Sequence, residues 1–435
     1  MHPSLVAEYS VSTAFVAVAL IAIVAQALII MVALFDRGSG YKVSAQSSDS
    51  LESEDFLYTL EALTDSKVNR RTTLEVLTNG ENFYEAELSA IANAQSTVNL
   101  EAYIFHRGEV ANRYLQILAE RARAGVRVNI LLDGLGSSAT RNSYLKPLLD
   151  AGGRVAWYHP VRWNTLPHYN NRSHRELLIL DGKVGFIGGA GVADQWRYGS
   201  KSAPRWRDTM VRVEGDAVTN LQATFAENWV ESCGEVLTGR EYFPLCAAQA
   251  GSAVLVVNST PSGGGATRAR MLIQLLIASA RHTIQITTPY FLPDSSMSDA
   301  LVTAIRERGA KVKILVPGPH ADHLLTRSSG RRAYGKLLRA GAQVYEYRPS
   351  MIHAKTLTVD STWGVVGSTN FDNRSFGIND EVNLAACDRG FAARLEQDFY
   401  RDTAESREIT LKEWSRRSVW ERAPELLGWV FERQQ

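Results

Sequence analysis

Two histidines, each followed by the same spacing of an aspartate, are the residues of this chain best suited to chemistry. His353 is followed seven residues later by Asp360, and His174 is followed seven residues later by Asp181. Lys355 stands two positions after His353, and residues i and i+2 of an extended chain project from the same face. An imidazole beside a fixed cation suits an anionic phosphodiester, because the histidine can attack phosphorus or transfer a proton while the lysine offsets the negative charge.

A pair of such histidines addresses both obstacles to phosphodiester cleavage. The diester is negatively charged, and its alkoxide leaving group is poor. One imidazole can form a phosphohistidine while the other protonates the leaving oxygen and later deprotonates the acceptor. This chemistry requires no metal ion, and we expect no metal or other cofactor. The segment 320–323 (HADH) is the nearest candidate for a metal site, but it lacks a further ligand with recognisable spacing, so a loop or a substrate contact is favoured.

The segments that must position the histidines form an internal repeat, which occurs twice along the chain. From about Thr72 onward, short β-branched runs alternate with helical segments, which predicts α/β architecture. The shared spacing around the histidines predicts a duplicated protein whose halves pack about a pseudo-two-fold axis, with both histidines near that axis. The segments that recur in order are 98–105 (VNLEAYIF) with 284–291 (IQITTPYF), 124–134 with 308–318, 151–158 with 340–347, and 174–189 with 353–368.

The second histidine segment continues into a Gly-Ser-Thr-Asn turn at 367–370, which completes the HKD motif. With this motif the chain resembles the phospholipase D superfamily, and within it bacterial cardiolipin synthases, over about residues 80–435. The resemblance implies two phospholipase D-type domains, each a mixed sheet flanked by helices. It also implies that the first-copy histidine is the nucleophile and the second-copy histidine the acid, although the reverse assignment stays open. The implied catalytic residues are His174, Asp181, His353, Lys355 and Asp360.

Four further side chains are candidates for supporting these residues. Ser368 and Asn370 belong to the turn that lets hydroxyl and backbone groups approach an anion, so we expect them to bind substrate. Asp208 and Glu381 are candidates for orienting the imidazoles, because a carboxylate would fix the tautomer and stabilise the imidazolium. Ordinary strand-end salt bridges are the alternative for these two acids.

The first copy departs from the family pattern at three positions. Glu176 stands where lysine is expected, Gly189 where serine is expected and Gly191 where asparagine is expected. A carboxylate there disfavours phosphate binding by like charge. Three outcomes stay open: Glu176 contacts the substrate site and orients Lys355 or Arg172; it turns away and leaves phosphate binding to Lys355; or the site is weakened.

The first 70 residues differ in character from the rest. The 22-residue run 14–35 contains Gln26 as its only strongly polar residue, and a helix of that length can cross a bilayer. A cleaved signal peptide is the alternative, with a shorter apolar region and a preceding positive charge. Arg37 and Lys42 follow the run and none precedes it, which predicts a single-pass anchor in the cell membrane with a cytoplasmic body.

The predicted organisation has five segments. The last of them interleaves tryptophans with arginines, which suits a membrane interface or a docked helix whose tryptophans are core. The segments are a transmembrane anchor (1–35), a linker (36–70), a first phospholipase D-like half (71–250), a second half (251–403) and a C-terminal amphipathic segment (404–435).

Composition narrows the substrate. Hydrophobic residues make up 45% and charged residues 21%, as in globular proteins. The formal net charge of +1 disfavours nucleic acid as a partner. Three functions remain: phosphatidyl transfer that makes cardiolipin from two phosphatidylglycerols, hydrolysis of a phospholipid or, less favoured, a nucleic acid, and a non-catalytic membrane-tethered binder. The resemblance favours transfer, with phosphatidylglycerol and membrane lipid as partners.

Overall fold

The computed structural model describes most of the chain between residues 13 and 417. Residues 13–28 form a helix, and within the described part of the chain no helix combines the length and the apolar character needed to cross a membrane. The predicted anchor continues to residue 35, and its portion from residue 29 onward lies outside the described residues, as does 418–435 of the predicted amphipathic segment. The described ranges are 13–28, 40–44, 50–162, 169–200, 203–246, 250–261 and 267–417.

Strands and helices alternate along the body, which confirms the predicted α/β class. The strands are β1 (Asn69–Thr78), β2 (Thr97–Ala102), β3 (Arg127–Asp133), β4 (Arg154–Tyr158), β5 (Leu177–Leu180), β6 (Val184–Gly188), β7 (Thr209–Gly215), β8 (Ser252–Ser259), β9 (Thr283–Thr287), β10 (Lys311–Pro317), β11 (Gln343–Tyr347), β12 (Thr356–Val359), β13 (Trp363–Gly367), β14 (Glu381–Cys387) and β15 (Ser406–Ile409). The helices are Glu54–Thr64, Gly80–Asn93, Glu109–Arg123, Asn142–Asp150, Ala217–Cys233, Arg268–Ser279, Ser295–Arg308, Leu324–Ala340, Asn373–Gly377, Arg389–Ala404 and Leu411–Ser415.

All of these strands join one mixed sheet. At its middle β1 pairs antiparallel with β8. Outward from β1 the order is β7, β6, β5, β2, β3 and β4, while outward from β8 it is β14, β13, β12, β9, β10 and β11, with β15 at the outer edge. The three strands farthest from the join on the first side are parallel, as are β9, β10 and β11 on the other. The same seven-strand order therefore occurs twice.

β5, which follows His174, and β10 of the second half are largely buried strands with mostly apolar sequences. β5 consists of four buried leucine and isoleucine residues, and β10 is buried from Ile314 to its end. A strand buried on both faces reads as a continuous apolar run rather than as an alternating one. The helix Arg389–Ala404 starts where the Asp388 side chain accepts the backbone N–H of Phe391, and it packs across β1, β12 and β13.

A helix occupies part of the predicted linker 36–70. Ser53 accepts the backbone N–H of Phe56 and starts the helix Glu54–Thr64. Phe56, Leu57 and Leu60 bury their side chains in the core of the second half, and the Phe56 ring meets the Trp363 ring edge-on at 6.0 Å. The acidic and serine-rich composition of this stretch concealed a three-residue apolar face.

Candidate active site

His353 is buried in the short extended segment before β12. Its Nδ1 atom lies 2.8 Å from Oδ2 of Asp208, which directly precedes β7 in the other half of the sheet. The rings of Trp196 and Trp206 enclose the imidazole, with centroids at 5.5 and 5.3 Å. Trp196 Nε1 also donates to Asp208 Oδ2 at 2.9 Å. The carboxylate is therefore held in place by the indole while it orients the imidazole.

Lys355 is the cation at the centre of the cluster. Its Nζ atom lies 2.9 Å from Nδ1 and 3.0 Å from Nε2 of His353, and it donates to the carbonyl oxygen of that residue at 2.9 Å. The prediction that the two side chains share one face is confirmed. Burial lowers the pKa of Lys355, while the negative charges of Asp208 and Glu381 act in the opposite direction. The ammonium group thus lies in the field of both carboxylates that face the histidines.

His174 is paired with a carboxylate from the second half. Its Nδ1 atom lies 3.1 Å from each carboxylate oxygen of Glu381, which is fully buried at the start of β14. Ser368 donates its hydroxyl to Glu381 at 2.5 Å, and the ring of Tyr103 meets the imidazole edge-on at 5.2 Å. The His174 side chain is 14% exposed, against 7% for His353, so it is the more accessible of the two imidazoles.

The main chain produces this crossed arrangement. The backbone N–H of His174 donates to the carbonyl oxygen of Asp380 at 2.9 Å, and that of His353 donates to the carbonyl oxygen of Arg207 at 2.7 Å. Each contact is accompanied by an isolated parallel bridge. Each histidine segment is therefore hydrogen-bonded to the opposite half, directly before the carboxylate that its imidazole faces.

Glu176 turns its carboxyl group toward the main chain. Its Oε1 atom accepts the backbone N–H of Ile104 at 3.3 Å, and within the described part of the chain it forms no salt bridge with Lys355. Arg172 lies instead 3.6 Å from Asp133. Burial raises the pKa of Glu176 well above its usual value, with the Ile104 hydrogen bond and Lys355 acting against that rise. Of the three outcomes left open by the sequence, this geometry matches the one in which Glu176 turns away from Lys355.

The turns after the two histidine strands differ in what they supply. The Ser368 hydroxyl was expected to bind substrate, but it is fully buried and is engaged by Glu381. The Oδ1 atom of Asn370 is buried and has no partner among the described residues, so this side chain keeps hydrogen-bonding capacity. At the equivalent place in the first half, a Cβ atom on Gly191 would lie 2.9 Å from Oε1 of Glu176. The two departures from the family pattern, Glu176 and Gly191, are therefore sterically compatible, because the glycine leaves space for the Glu176 carboxyl group.

Asp181 and Asp360, which the sequence places in the catalytic set, both accept backbone N–H groups from a neighbouring segment. Both follow a strand in the left-handed region, with φ of 53° and 52°. Asp360 accepts the backbone N–H groups of residues 281–283, and Asp181 those of residues 95–97. Seven residues of extended chain separate each from its histidine, which is roughly 20 Å. Their carboxylates therefore tie the far ends of β5 and β12 to the neighbouring strands.

Comparison with known proteins identifies the family. A family model described as "Cardiolipin synthase, PLD-like domain" matches residues 88–229 and 273–403. The chain belongs to this family. The two matched ranges contain all the histidine, lysine and carboxylate residues of the cluster.

Similar proteins agree with this family membership. Cardiolipin synthase 1 of Bacillus cereus is 34% identical over 363 residues, which cover 81% of this chain and 70% of that protein. Cardiolipin synthase of Listeria monocytogenes is 32% identical over 369 residues, covering 84% and 76%. A crystal structure of phosphatidylserine synthase from Haemophilus influenzae has a TM-score of 0.65 at 14% identity and covers 87% of this chain and 97% of that chain, which shows a shared fold.

In this family member the surroundings of His353 set opposing influences on its charge. Burial lowers the pKa of His353, and the neighbouring Lys355 ammonium lowers it further, while Asp208 raises it. Burial alone would raise the pKa of Asp208, but the His353 hydrogen bond and the charges of His353 and Lys355 lower it. Asp208 therefore stays ionised and ready to stabilise an imidazolium.

Two features of the site were not predicted from the sequence. Trp196 was missed altogether, although it contacts both His353 and Asp208. Arg207 was given no role, yet it is buried and forms salt bridges with Asp398 (3.4 Å) and Asp402 (2.9 Å). The sequence signal for Arg207 was its position directly before Asp208. No group of three or more potential metal ligands occurs in the part of the chain that the structure describes.

Proposed function

We propose that this family member is a phosphatidyltransferase that converts two phosphatidylglycerols into cardiolipin and glycerol. The observation that carries the proposal is the crossed pairing of His174 with Glu381 and of His353 with Asp208. Lys355 supplies positive charge between the two pairs. The relatives named cardiolipin synthase support a phospholipid substrate.

In the first step His174 attacks the phosphorus of one phosphatidylglycerol. The bond between phosphorus and the headgroup glycerol oxygen breaks, and His353 gives its proton to that oxygen. Glu381 faces Nδ1 of His174 and stabilises the charge that develops on the ring. The Lys355 ammonium is available to the phosphoryl oxygens.

In the second step the phosphohistidine is resolved by a lipid hydroxyl. The terminal hydroxyl of a second phosphatidylglycerol gives its proton to His353, its oxygen bonds to phosphorus, and the bond between phosphorus and His174 breaks. Water in place of the lipid hydroxyl would give phosphatidic acid, the product of a phospholipase D-type hydrolase. The greater exposure of His174 supports its role as the nucleophile.

We infer the remaining organisation on the same basis. The run 14–35 anchors the chain in the cell membrane as a single pass, with the body on the cytoplasmic side. The two halves, 71–250 and 251–403, derive from a duplication and are related by a pseudo-two-fold axis. The repeated strand order supports this relation. An anchored body confines the site to the surface that holds its substrate.

The deciding experiment is incubation of the purified full chain with labelled phosphatidylglycerol vesicles, with products separated by chromatography. Cardiolipin plus glycerol supports the proposal. Phosphatidic acid plus glycerol would make the protein a hydrolase, and no product would make it a tethered binder. His174→Ala and His353→Ala are expected to abolish product formation, and near wild-type turnover in either would contradict the two-histidine mechanism.

A further inference from the structure

A cleft of about 710 Å³ lies at the outer edge of the second half, between the helix Leu324–Ala340, β15 and the helix Leu411–Ser415. Its charged lining is strongly basic, because six arginines face two glutamates. The arginines are Arg327, Arg331, Arg348, Arg407, Arg416 and Arg417.

The two glutamates neutralise only part of this positive charge. Glu346 is buried and forms salt bridges with Arg327 at 3.0 Å and with Arg331 at 3.4 Å. Glu413 pairs with Arg407 at 3.1 Å. These salt bridges pair three of the six arginines, Arg327, Arg331 and Arg407, with a carboxylate.

Arg348 and Arg416 are the two arginines best placed to take an external anion. Both are exposed, and neither side chain has a salt bridge or hydrogen bond within the described part of the chain. A guanidinium group presents two parallel N–H donors that match the oxygens of a phosphate. These two exposed arginines, next to the buried salt bridges of Glu346, are suited to bind phosphate groups from outside the protein.

An aromatic wall is built into the same cleft. Trp414 donates its Nε1–H to the carbonyl oxygen of Arg331 at 3.2 Å, and the guanidinium of Arg417 lies 4.4 Å from its ring centre. A Cβ atom on Gly335 would lie 2.2 Å from Cη2 of this indole, so the helix makes room for the ring. Trp414 is partly buried and packs against the core of the second half, so the ring forms a fixed wall beside the arginines.

The cleft opens at the same edge of the sheet as the histidine cluster. β10 ends at Pro317, next to Pro319 in the cleft, and β11 ends directly before Arg348. Thr356 pairs with Thr287, the last residue of β9, so His353 also lies at the carboxyl ends of these parallel strands. A lipid surface that serves the histidines therefore meets the cleft.

We propose that this arginine cleft binds the phosphate headgroups of anionic phospholipid and aligns the body on the membrane surface. It contains no histidine and takes no part in the chemistry, so the proposal goes beyond the transferase activity. Its ligand is a phosphodiester within a lipid surface, and free phosphate is an outcome to be distinguished. Binding here keeps the carboxyl edge of the sheet against the bilayer.

Hydrogen exchange of the full chain in mixed micelles tests the proposal without any need for turnover. We expect peptides within 407–417 to exchange more slowly in phosphatidylglycerol micelles than in phosphatidylcholine micelles. The double variant Arg348→Glu/Arg416→Glu is expected to raise the concentration of phosphatidylglycerol micelles needed for half protection by about thirtyfold, from the usual contribution of a basic residue near an anionic surface. Transferase activity is measured separately, so that either proposal can fail alone.

The matched control is Arg123→Glu/Arg240→Glu, which reverses two exposed arginines of the first half. This variant is expected to keep the wild-type protection, and thermal unfolding checks that both variants are folded. Equal protection in phosphatidylcholine, or equal loss in the control variant, would overturn a specific site. Protection by millimolar inorganic phosphate without any by phosphatidylglycerol would replace the lipid site with a free-phosphate site.

Discussion

A Cβ atom on Gly189 would lie 2.9 Å from Cδ of Lys355 and 3.1 Å from its Nζ atom. Gly189 occupies the position that Ser368 holds in the second half. The missing side chain in one half therefore provides the space into which the lysine of the other half extends. The absence of a serine there is part of how the single lysine is accommodated.

Gly189→Ser should consequently reduce activity although it restores the family pattern. The new side chain would displace the Lys355 ammonium from its contacts with His353 at 2.9 and 3.0 Å. We expect kcat to fall roughly tenfold to a hundredfold, as for a displaced catalytic group. The measurement is kcat in the vesicle assay, with Gly40→Ala as the control, since a Cβ there meets nothing within 4 Å. Unchanged kcat would show that Lys355 does not need this space.

The effect of replacing Glu176 on kcat should depend on the charge of the new side chain, and not on whether that side chain matches the family pattern. Burial raises the pKa of its carboxyl well above the usual value, which favours the neutral form. Glu176→Gln preserves size and neutrality and should keep kcat within about twofold, from the near-neutral cost expected of an isosteric change. Glu176→Lys puts a second buried ammonium near Lys355 and should lower kcat. A lysine variant as active as the wild type would mean that Glu176 is merely tolerated.

The carboxylates that face the histidines, Asp208 and Glu381, should affect both kcat and its dependence on pH. Asp208→Asn removes the negative charge that raises the pKa of His353 and leaves burial and Lys355 to lower it. The activity limb that requires a protonated His353 is therefore expected at lower pH, with kcat reduced about 10²–10⁴-fold by the altered tautomer. The pH profile of kcat is the measurement. Glu381→Gln is the matched variant for His174, and a profile that stays in place in Asp208→Asn would argue against the contact.

Asp360 should affect folding and spare the chemistry. Its carboxylate accepts three backbone N–H groups, at 2.7, 2.8 and 2.7 Å. Asp360→Ala should lower the free energy of unfolding by about 1–3 kcal/mol, while kcat per folded molecule stays the same. Denaturant unfolding and active-site titration measure the two quantities. Asp299→Ala, on an exposed aspartate, is the control. A selective loss of kcat would return Asp360 to the catalytic set.

The buried Glu87 should make stability depend on pH. Burial raises its pKa to about 8, from the usual 4.5. Between these values the folded chain retains a proton that the unfolded chain has lost, so the free energy of unfolding falls as pH rises, by about 1.4 kcal/mol per pH unit. Glu87→Gln should make this slope shallower by the contribution of one group, and Glu120→Gln, on an exposed residue, should leave it unchanged. Denaturant melts at pH 5 to 8 decide, and equal slopes in both variants would contradict the shift.

Local patterns were sufficient to predict the strands that carry the site. The paired segments 98–105 and 284–291 overlap β2 and β9 in all but the first residue of each strand, and these strands hold equivalent positions in the sheet. The pairing of Lys355 with His353 followed from i, i+2 spacing alone. These features depend on residues that are close in sequence.

Features that depend on distant contacts could not be predicted in this way. Spacing did not reveal that Ser368 would support Glu381, or that Asp360 would bind backbone N–H groups. Trp196 reaches His353 only because the two halves meet there. The helix Glu54–Thr64 was hidden because its apolar face is short and its surroundings are polar. In each case tertiary packing determined the role.

The crossed contacts have a consequence for synthesis. The first histidine leaves the ribosome about two hundred residues before Glu381, the acid that faces it, since domains emerge from the N-terminal side. A nascent chain arrested anywhere in that interval has His174 without its facing carboxylate, and one arrested before residue 355 also lacks the lysine of the site. Phosphoryl chemistry is thereby withheld until nearly the whole polypeptide has been translated, and truncated products remain inert toward the lipids around them.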